Sequence, residues 1–264
     1  MKLGFIGCGN MAKAIIGGVL KSGLCPKEDV IASDAFAPAL EAAQKQYGIA
    51  VTADNCAVAR EADVLVLAVK PQFYAEVIRG LRECLHDGQL IVTIAPGKTL
   101  DWLEEQTGGG FAIVRTMPNT PAMVGEGITA MCPNDAVTPD QLETCRRLLE
   151  SFGRAEVIPE RLMDAVVAVS GSSPAYVFLF IEAMADAAVA EGMPRAQAYT
   201  FAAQAVLGSA KMVLETGRHP GELKDMVCSP AGTTIEAVQS LEEDGFRSAV
   251  MRAMRVCAEK SRSM

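Results

Sequence analysis

Gly7 and Gly9, followed by Ala12, form a G-x-G-x-x-A pattern directly after the short apolar run 3–6, and residues 11–20 read as helix. Strand, glycine turn and helix N-terminus, in that order, make a seat for a dinucleotide pyrophosphate. The first glycine permits the tight turn. The second lets backbone approach phosphate, and the small third residue lets helix lie on strand. Exposed N–H groups and the positive end of the helix dipole hold the anion. The pattern is common in itself; its place between a strand and a helix gives it weight.

Four further segments carry polar groups at places where a ligand would sit. Ala68, Val69, Lys70 and Pro71 close the most apolar strand run, 64–69, and ligands in a doubly wound sheet lie beyond the carboxyl ends of strands. Lys70 there is either a contact to phosphate or ribose or an exposed lysine at a strand end. Ala95, Pro96 and Gly97 end the next strand, and residues 115–121 end the one after, with Asn119 and Thr120 held between two prolines. Ser170, Gly171, Ser172 and Ser173 open a long apolar helix with more hydroxyls than one cap requires. Finally, Ser229, Pro230, Ala231, Gly232, Thr233 and Thr234 lead into a helix, so several backbone N–H groups point together at a carboxylate- or phosphate-sized anion. Thr233 and Glu236 also have the spacing of a capping box, a role compatible with anion binding.

None of these segments holds a histidine or a paired carboxylate, and the only thiols in or beside them are Cys8 and, one residue before the last segment, Cys228. There is no nucleophile elbow and no metal-ligand cluster. A site of amides and hydroxyls suits hydride transfer to an already electrophilic substrate, with a cofactor supplying the chemistry.

The elements that must position these residues fall into two kinds. Strand runs at 30–33, 64–69, 90–94, 112–115 and 128–131 alternate with helical stretches at 37–47, 73–85 and 100–106, which predicts an α/β doubly wound, Rossmann-like sheet. Beyond about residue 160 only helices are expected, at 164–170, 175–191, 195–216, 234–243 and from 246 onward. The expected division is 1–160 as a dinucleotide-binding domain and 161–264 as an all-helical one. The stretches 177–190 and 201–214 are apolar nearly all round, which predicts burial against a second subunit rather than within a single bundle.

With 264 residues, 50% hydrophobic and 21% charged, the composition is that of a soluble globular chain. The net charge of −8 argues against a nucleic-acid surface and against an anionic membrane. No basic leader precedes the first strand, and no apolar run is expected to span a bilayer; the nearest, 177–190, is broken by Glu182 and Asp186. Eight scattered cysteines without a C-x-x-C, and two distant histidines, predict free thiols in a reducing cytoplasm, with no zinc site and no disulfide framework.

Taken together and in order, these segments resemble pyrroline-5-carboxylate reductases, which reduce a cyclic imino acid to L-proline. The marks run through the whole chain: residues 5–11, 68–71, 117–121, 170–176 and 223–234. The resemblance implies that Ile6, Gly7, Cys8, Gly9, Asn10 and Met11 hold the pyrophosphate, with Ser33 and Asn55 on the adenosine side. It places Ala68, Val69, Lys70, Pro71, Ala95 and Gly97 along the nicotinamide half. Backbone amides of Gly232, Thr233 and Thr234 would take the substrate carboxylate, and the Thr234 hydroxyl, as the catalytic group, would bond the ring nitrogen. It further implies NADP(H) or NAD(H) as cofactor, no metal, and helical domains that intertwine as homodimers and assemble into decamers.

Two residues depart from the family pattern. Ala231 stands where the family has the first of two glycines. Asp34 ends the second strand, where an acid bonds a ribose 2′-hydroxyl and disfavours a 2′-phosphate, and no Arg or Lys follows before Gln44. Both nucleotides therefore stay open. A β-hydroxyacid dehydrogenase, the nearest rival, would need a lysine on the first long helix of the second domain, and residues 175–191 contain none. A nucleotide-sensing protein would keep the glycines without needing the hydroxyl-rich 229–234 segment.

Overall fold

The computed structural model describes residues 1–263. The chain forms two compact units, one of Met1–Ser172 with the chain end from Cys257, the other of Ser173–Val256. The first division falls twelve residues beyond the expected one at 160/161. The intervening residues stay with the sheet because Glu160 is anchored there: its Oε1 accepts from buried Arg115 at 2.6 Å and from the Leu100 N–H at 2.8 Å.

The first unit is an eight-stranded sheet in the order β3-β2-β1-β4-β5-β6-β7-β8. The strands are β1 (Leu3–Ile6), β2 (Val30–Ser33), β3 (Ala50–Thr52), β4 (Val64–Leu67), β5 (Leu90–Thr93), β6 (Ala112–Met117), β7 (Gly127–Pro133) and β8 (Gly153–Val157). All neighbours are parallel except β6 and β7. Its first six strands have the Rossmann order. The apolar strands are explained by burial on both faces. Phe5, Val64, Val66 and Val92 pack on one side with α1 (Asn10–Ser22), α2 (Ala37–Tyr47) and α6 (Pro139–Glu150). Ile6, Leu65, Leu67 and Ile91 pack on the other with α3 (Asn55–Glu61), α4 (Tyr74–Leu81) and α5 (Leu100–Thr107). Alternate residues of one strand thus serve opposite cores.

Several elements go beyond the sequence expectation. β3, α3, α6 and β8 have no counterpart among the expected elements, and the helix expected at 73–85 is a short 3₁₀ turn, Pro71–Phe73, followed by α4 ending at Leu81. The helix expected at 164–170 is α7 (Met163–Val166) running into a π-helical turn, Val167–Gly171. Cys56 and Cys84 form a disulfide with Cα atoms 5.4 Å apart, contrary to the expectation of free thiols throughout. Packing of α3 beside α4 brings them together, a proximity that their 28-residue separation does not report. The other six cysteines are free, four of them buried.

The second unit is all helix: α8 (Ser173–Ala190), α9 (Arg195–Thr216), α10 (Pro220–Val227), α11 (Thr233–Glu243) and most of α12 (Phe246–Arg262). α8 and α9 pack on each other, yet Phe178, Leu179, Phe201 and Leu214 are 60% or more exposed. By length and composition, the helical run Glu160–Ala190 is apolar enough to cross a membrane, which corrects the expectation that no run would be. An apolar helix with so little of itself buried needs a cover.

Candidate active site

The glycine turn is built against the end of β4. Gly7 has φ +106°, and a Cβ there would lie 2.7 Å from the Ala68 carbonyl oxygen, so only glycine fits. Its N–H donates to Ser33 O at 2.7 Å, which fastens the turn to β2. Gly9 is the N-cap of α1, and no side chain caps that helix. Nothing lies within 4 Å of the point a Gly9 Cβ would occupy. An uncapped first turn, whose N–H groups have no intrahelical partner, therefore opens onto free space. Those features fit a phosphate group at Gly9, Asn10 and Met11. Ala12, in the third small position, is completely buried. Burial, helped by the charge of Asp34, pushes the Cys8 thiol up to about 11. It is a neutral packing group at neutral pH, and it is 1% exposed.

Asp34 turns inward onto this loop. Its Oδ2 accepts from the Cys8 N–H at 2.7 Å and its Oδ1 from the Phe36 N–H at 2.8 Å. A carboxylate is thus held by two backbone donors at the edge of the turn. Ser33 is completely buried, and its hydroxyl donates to Asn55 Oδ1 at 2.7 Å. The structure places that hydroxyl inside the sheet, engaged with the amide beside it. Asn55 opens α3 and is half-buried, while Asp54 caps the helix through the Cys56 N–H at 2.8 Å.

The strand ends that follow lie at the same carboxyl edge. Ala68 and Val69 are half-buried, and exposed Lys70 is the N-cap of the Pro71–Phe73 turn. Ala95 is 4% exposed and Gly97 turns the chain with φ +75°. Between them stands Tyr74, fully buried, which sequence reasoning passed over because it reads as one more apolar position of an amphipathic helix. Asn119 is 7% exposed and bonded through both side-chain polar atoms: its Oδ1 accepts from Ile128 N–H at 2.9 Å, and its Nδ2 donates to Ser170 O at 3.1 Å. These two bonds fasten the 118–121 loop, a structural role for a residue placed where a ligand would sit. Ser170 follows the same pattern, with its hydroxyl donating to Val166 O at 3.1 Å inside the π-helical turn.

In the helical unit, Ala231 has φ +54° and is the one non-glycine residue with positive φ among those described. It delivers Gly232 to the N-cap of α11, with the Gly232 N–H donating to Ser229 O at 3.0 Å. A side chain at 232 would strike Ser229 Oγ at 2.2 Å. No side chain caps α11, so the Thr233–Glu236 capping box is not formed: the helix begins at Thr233 itself, one residue earlier than that box requires. Thr233 is exposed and Thr234 half-buried. The amides of the first turn stand bare, as at α1. No group of three or more His, Cys, Asp or Glu that could hold a metal occurs among the described residues.

Comparison with known proteins matches both units. Residues 160–264 fit a family described as pyrroline-5-carboxylate reductase dimerisation, and residues 2–97 fit one described as NADP oxidoreductase, coenzyme F420-dependent. The chain is 54% identical to the pyrroline-5-carboxylate reductase of Escherichia coli over 263 residues, covering 100% of this chain and 98% of that protein. It is 47% identical to that of Methanosarcina acetivorans, covering 100% and 97%. Among solved structures, a pyrroline-5-carboxylate reductase from Coxiella burnetii superposes with TM-score 0.93 at 33% identity, covering 99% of this chain and 97% of that one. The Plasmodium falciparum pyrroline carboxylate reductase with NADP bound superposes with TM-score 0.90, also at 33% identity, covering 100% and 97%.

Proposed function

Because the chain belongs to the pyrroline-5-carboxylate reductase family, and is an oxidoreductase that reduces 1-pyrroline-5-carboxylate to L-proline in the last step of proline biosynthesis, we propose how its residues divide that work. Backbone amides of Gly9, Asn10 and Met11, on the turn formed by Ile6, Gly7 and Cys8, would hold the cofactor pyrophosphate. Asn55, oriented by Ser33, would meet the adenosine side. Ala68, Val69, Lys70 and Pro71, with Ala95 and Gly97, would flank the nicotinamide half. When bound, that cofactor supplies the hydride. It is NADP(H), as in the relative solved with NADP, with NAD(H) as the alternative that the Asp34 charge favours.

Amides of Gly232, Thr233 and Thr234 would take the substrate carboxylate at the N-terminus of α11, where the helix dipole favours an anion. The observation that carries this part is the bare first turn of α11, with Gly232 as its N-cap and no side chain over it. The Thr234 hydroxyl would accept from the protonated ring nitrogen. A protonated C=N bond is already electrophilic at carbon, so the chain need supply orientation rather than a strong acid. Residues 1–160 would serve the nucleotide and 161–264 the substrate and assembly. The chain is a homo-oligomer, and we take the dimer as its unit and the decamer as its larger form, in the cytoplasm, with no nucleic-acid or membrane partner.

Initial rates of NADPH and NADH oxidation with 1-pyrroline-5-carboxylate test the site. Thr234→Val is expected to lower kcat by about tenfold to a hundredfold while leaving cofactor affinity within about twofold. Equal weakening of nucleotide binding would remove Thr234 from the substrate side, and no turnover by the unaltered protein with either nucleotide would overturn the whole assignment.

A further inference from the structure

At three places along the sheet, a strand pair reaches the last residue of its ladder and must pass into a loop. β1 and β2 pair Ile6 with Ser33, and the next rung is a direct backbone bond, Gly7 N–H to Ser33 O at 2.7 Å. β1 and β4 pair Ile6 with Leu67, and again the next rung is direct, Ala68 N–H to Ile6 O at 2.8 Å. β4 and β5 pair Leu67 with Thr93 in the same parallel register, so the equivalent rung would run from Ile94 N–H to Leu67 O. A phenol hydroxyl stands there instead. Ile94 N–H donates to Tyr74 Oη at 3.3 Å, and Tyr74 Oη donates to Leu67 O at 2.5 Å. Two hydrogen bonds in series stand where the ladder would have one, so the Ile94 N–H and the Leu67 carbonyl both find a partner through the phenol rather than in each other.

Tyr74 is suited to this in two ways. It is fully buried, so the hydroxyl is fixed by packing against the α3–α4 side of the sheet. It is also the first residue of α4, reached through the loop 68–73, so its bond to Leu67 O closes that loop onto its own stem. Ile94 immediately precedes the second loop, 95–97. One hydroxyl therefore sets the departure of both chain segments. We propose that Tyr74 is a positioning residue that splays the carboxyl ends of β4 and β5 and so sets the width of the crevice for the nicotinamide half of the cofactor. The proposal rests on the assignment of Ala68–Pro71 and Ala95–Gly97 to that half.

The test compares the two halves of the nucleotide. In Tyr74→Phe the ring and its packing remain, while Ile94 N–H and Leu67 O lose their shared partner. Affinity for reduced nicotinamide mononucleotide is expected to fall about tenfold, and NADPH affinity with it, because strand ends left unpaired either close or loosen. Affinity for 2′,5′-ADP, which carries the adenosine half alone, is expected to stay within about twofold. Amide hydrogen exchange at Ile94 should quicken selectively. Replacing Tyr74 with 4-aminophenylalanine keeps a donor and an acceptor at the same point and should restore nicotinamide affinity; it also serves if the phenylalanine variant does not fold. Unchanged nicotinamide affinity in Tyr74→Phe, equal loss for both fragments, or failure of the amino analogue to restore binding would each overturn the proposal. Failure of the unaltered protein to bind NADPH would instead overturn the assignment of the cofactor seat.

Discussion

Both units present a bare helix N-terminus, but they build it on different foundations. In the sheet unit, α1 follows a turn in which a Gly7 Cβ would strike the Ala68 carbonyl, and Cys8 and Ala12 are buried while Gly9 and Asn10 are exposed. In the helical unit, α11 begins at an exposed loop, and the buried apolar residues of the whole unit are Ala185, Ala198 and Ala202. Large apolar side chains there face outward instead: Phe178, Leu179 and Phe201 exceed 60% exposure. One unit encloses its own core, and the other leaves its large apolar side chains uncovered. The same uncapped helix start thus stands on a packed sheet edge in one unit and on an exposed loop in the other.

The largest expected effect attacks that contrast directly. Leu179 is 67% exposed on α8, so arginine there costs the isolated unit little. If a second copy covers the helix, the charge becomes buried and unpaired, and association should weaken by roughly a hundredfold or more, with turnover lost alongside it. Sedimentation of Leu179→Arg reads the outcome. A variant that keeps the wild-type mass and rate would show that α8 is not at the subunit contact. The next largest effect belongs to the sheet unit. Gly7→Ala places a methyl 2.7 Å from a backbone oxygen at φ +106°, and should cost about 2–4 kcal/mol in urea unfolding while abolishing nucleotide binding. Stability within about 0.5 kcal/mol of the unaltered protein would mean that the turn yields more easily than its packing implies.

Much of this was legible in the residues, and the reasons differ by region. All-apolar strands such as Val64–Leu67 announce burial on two faces, and glycines closing a helix, such as Gly48 after α2, mark its end. Gly7, Gly9 and Gly232 announce uncapped helix starts through their neighbours. β8 did not, because Gly153–Val157 is mostly exposed and carries Arg154 and Glu156, so its alternation is hidden. α6 could have been found: Thr138 and Gln141 form a true capping box. Tyr74, the Asn119 bonds and the Cys56–Cys84 pair rest on tertiary proximity, which spacing along a chain does not encode.

A smaller effect concerns the nucleotide. Asp34→Asn keeps an oxygen for the Cys8 N–H and removes the charge. The ratio of kcat/KM for NADPH over NADH should rise by about tenfold, since a 2′-phosphate at the end of β2 no longer meets a carboxylate. An unchanged ratio would place the phosphate beyond the reach of Asp34.

The smallest expected effect lies in the loop before α11. Ala231 holds φ +54°, where its Cβ crowds the following carbonyl, and the residue is exposed. Glycine removes that strain but also loosens the unfolded chain, which takes back part of the gain. The balance should favour Ala231→Gly by about 1 kcal/mol or less in local opening, read as slower amide exchange at Gly232 and Thr233. Because Gly232 N–H to Ser229 O still closes the turn, the substrate KM should fall by no more than about threefold, with kcat and cofactor affinity unchanged. Faster exchange in the glycine variant would reverse the sign. It would mean that the methyl stiffens the loop more than it strains it, so that the proposed carboxylate seat is pre-organised by its own backbone.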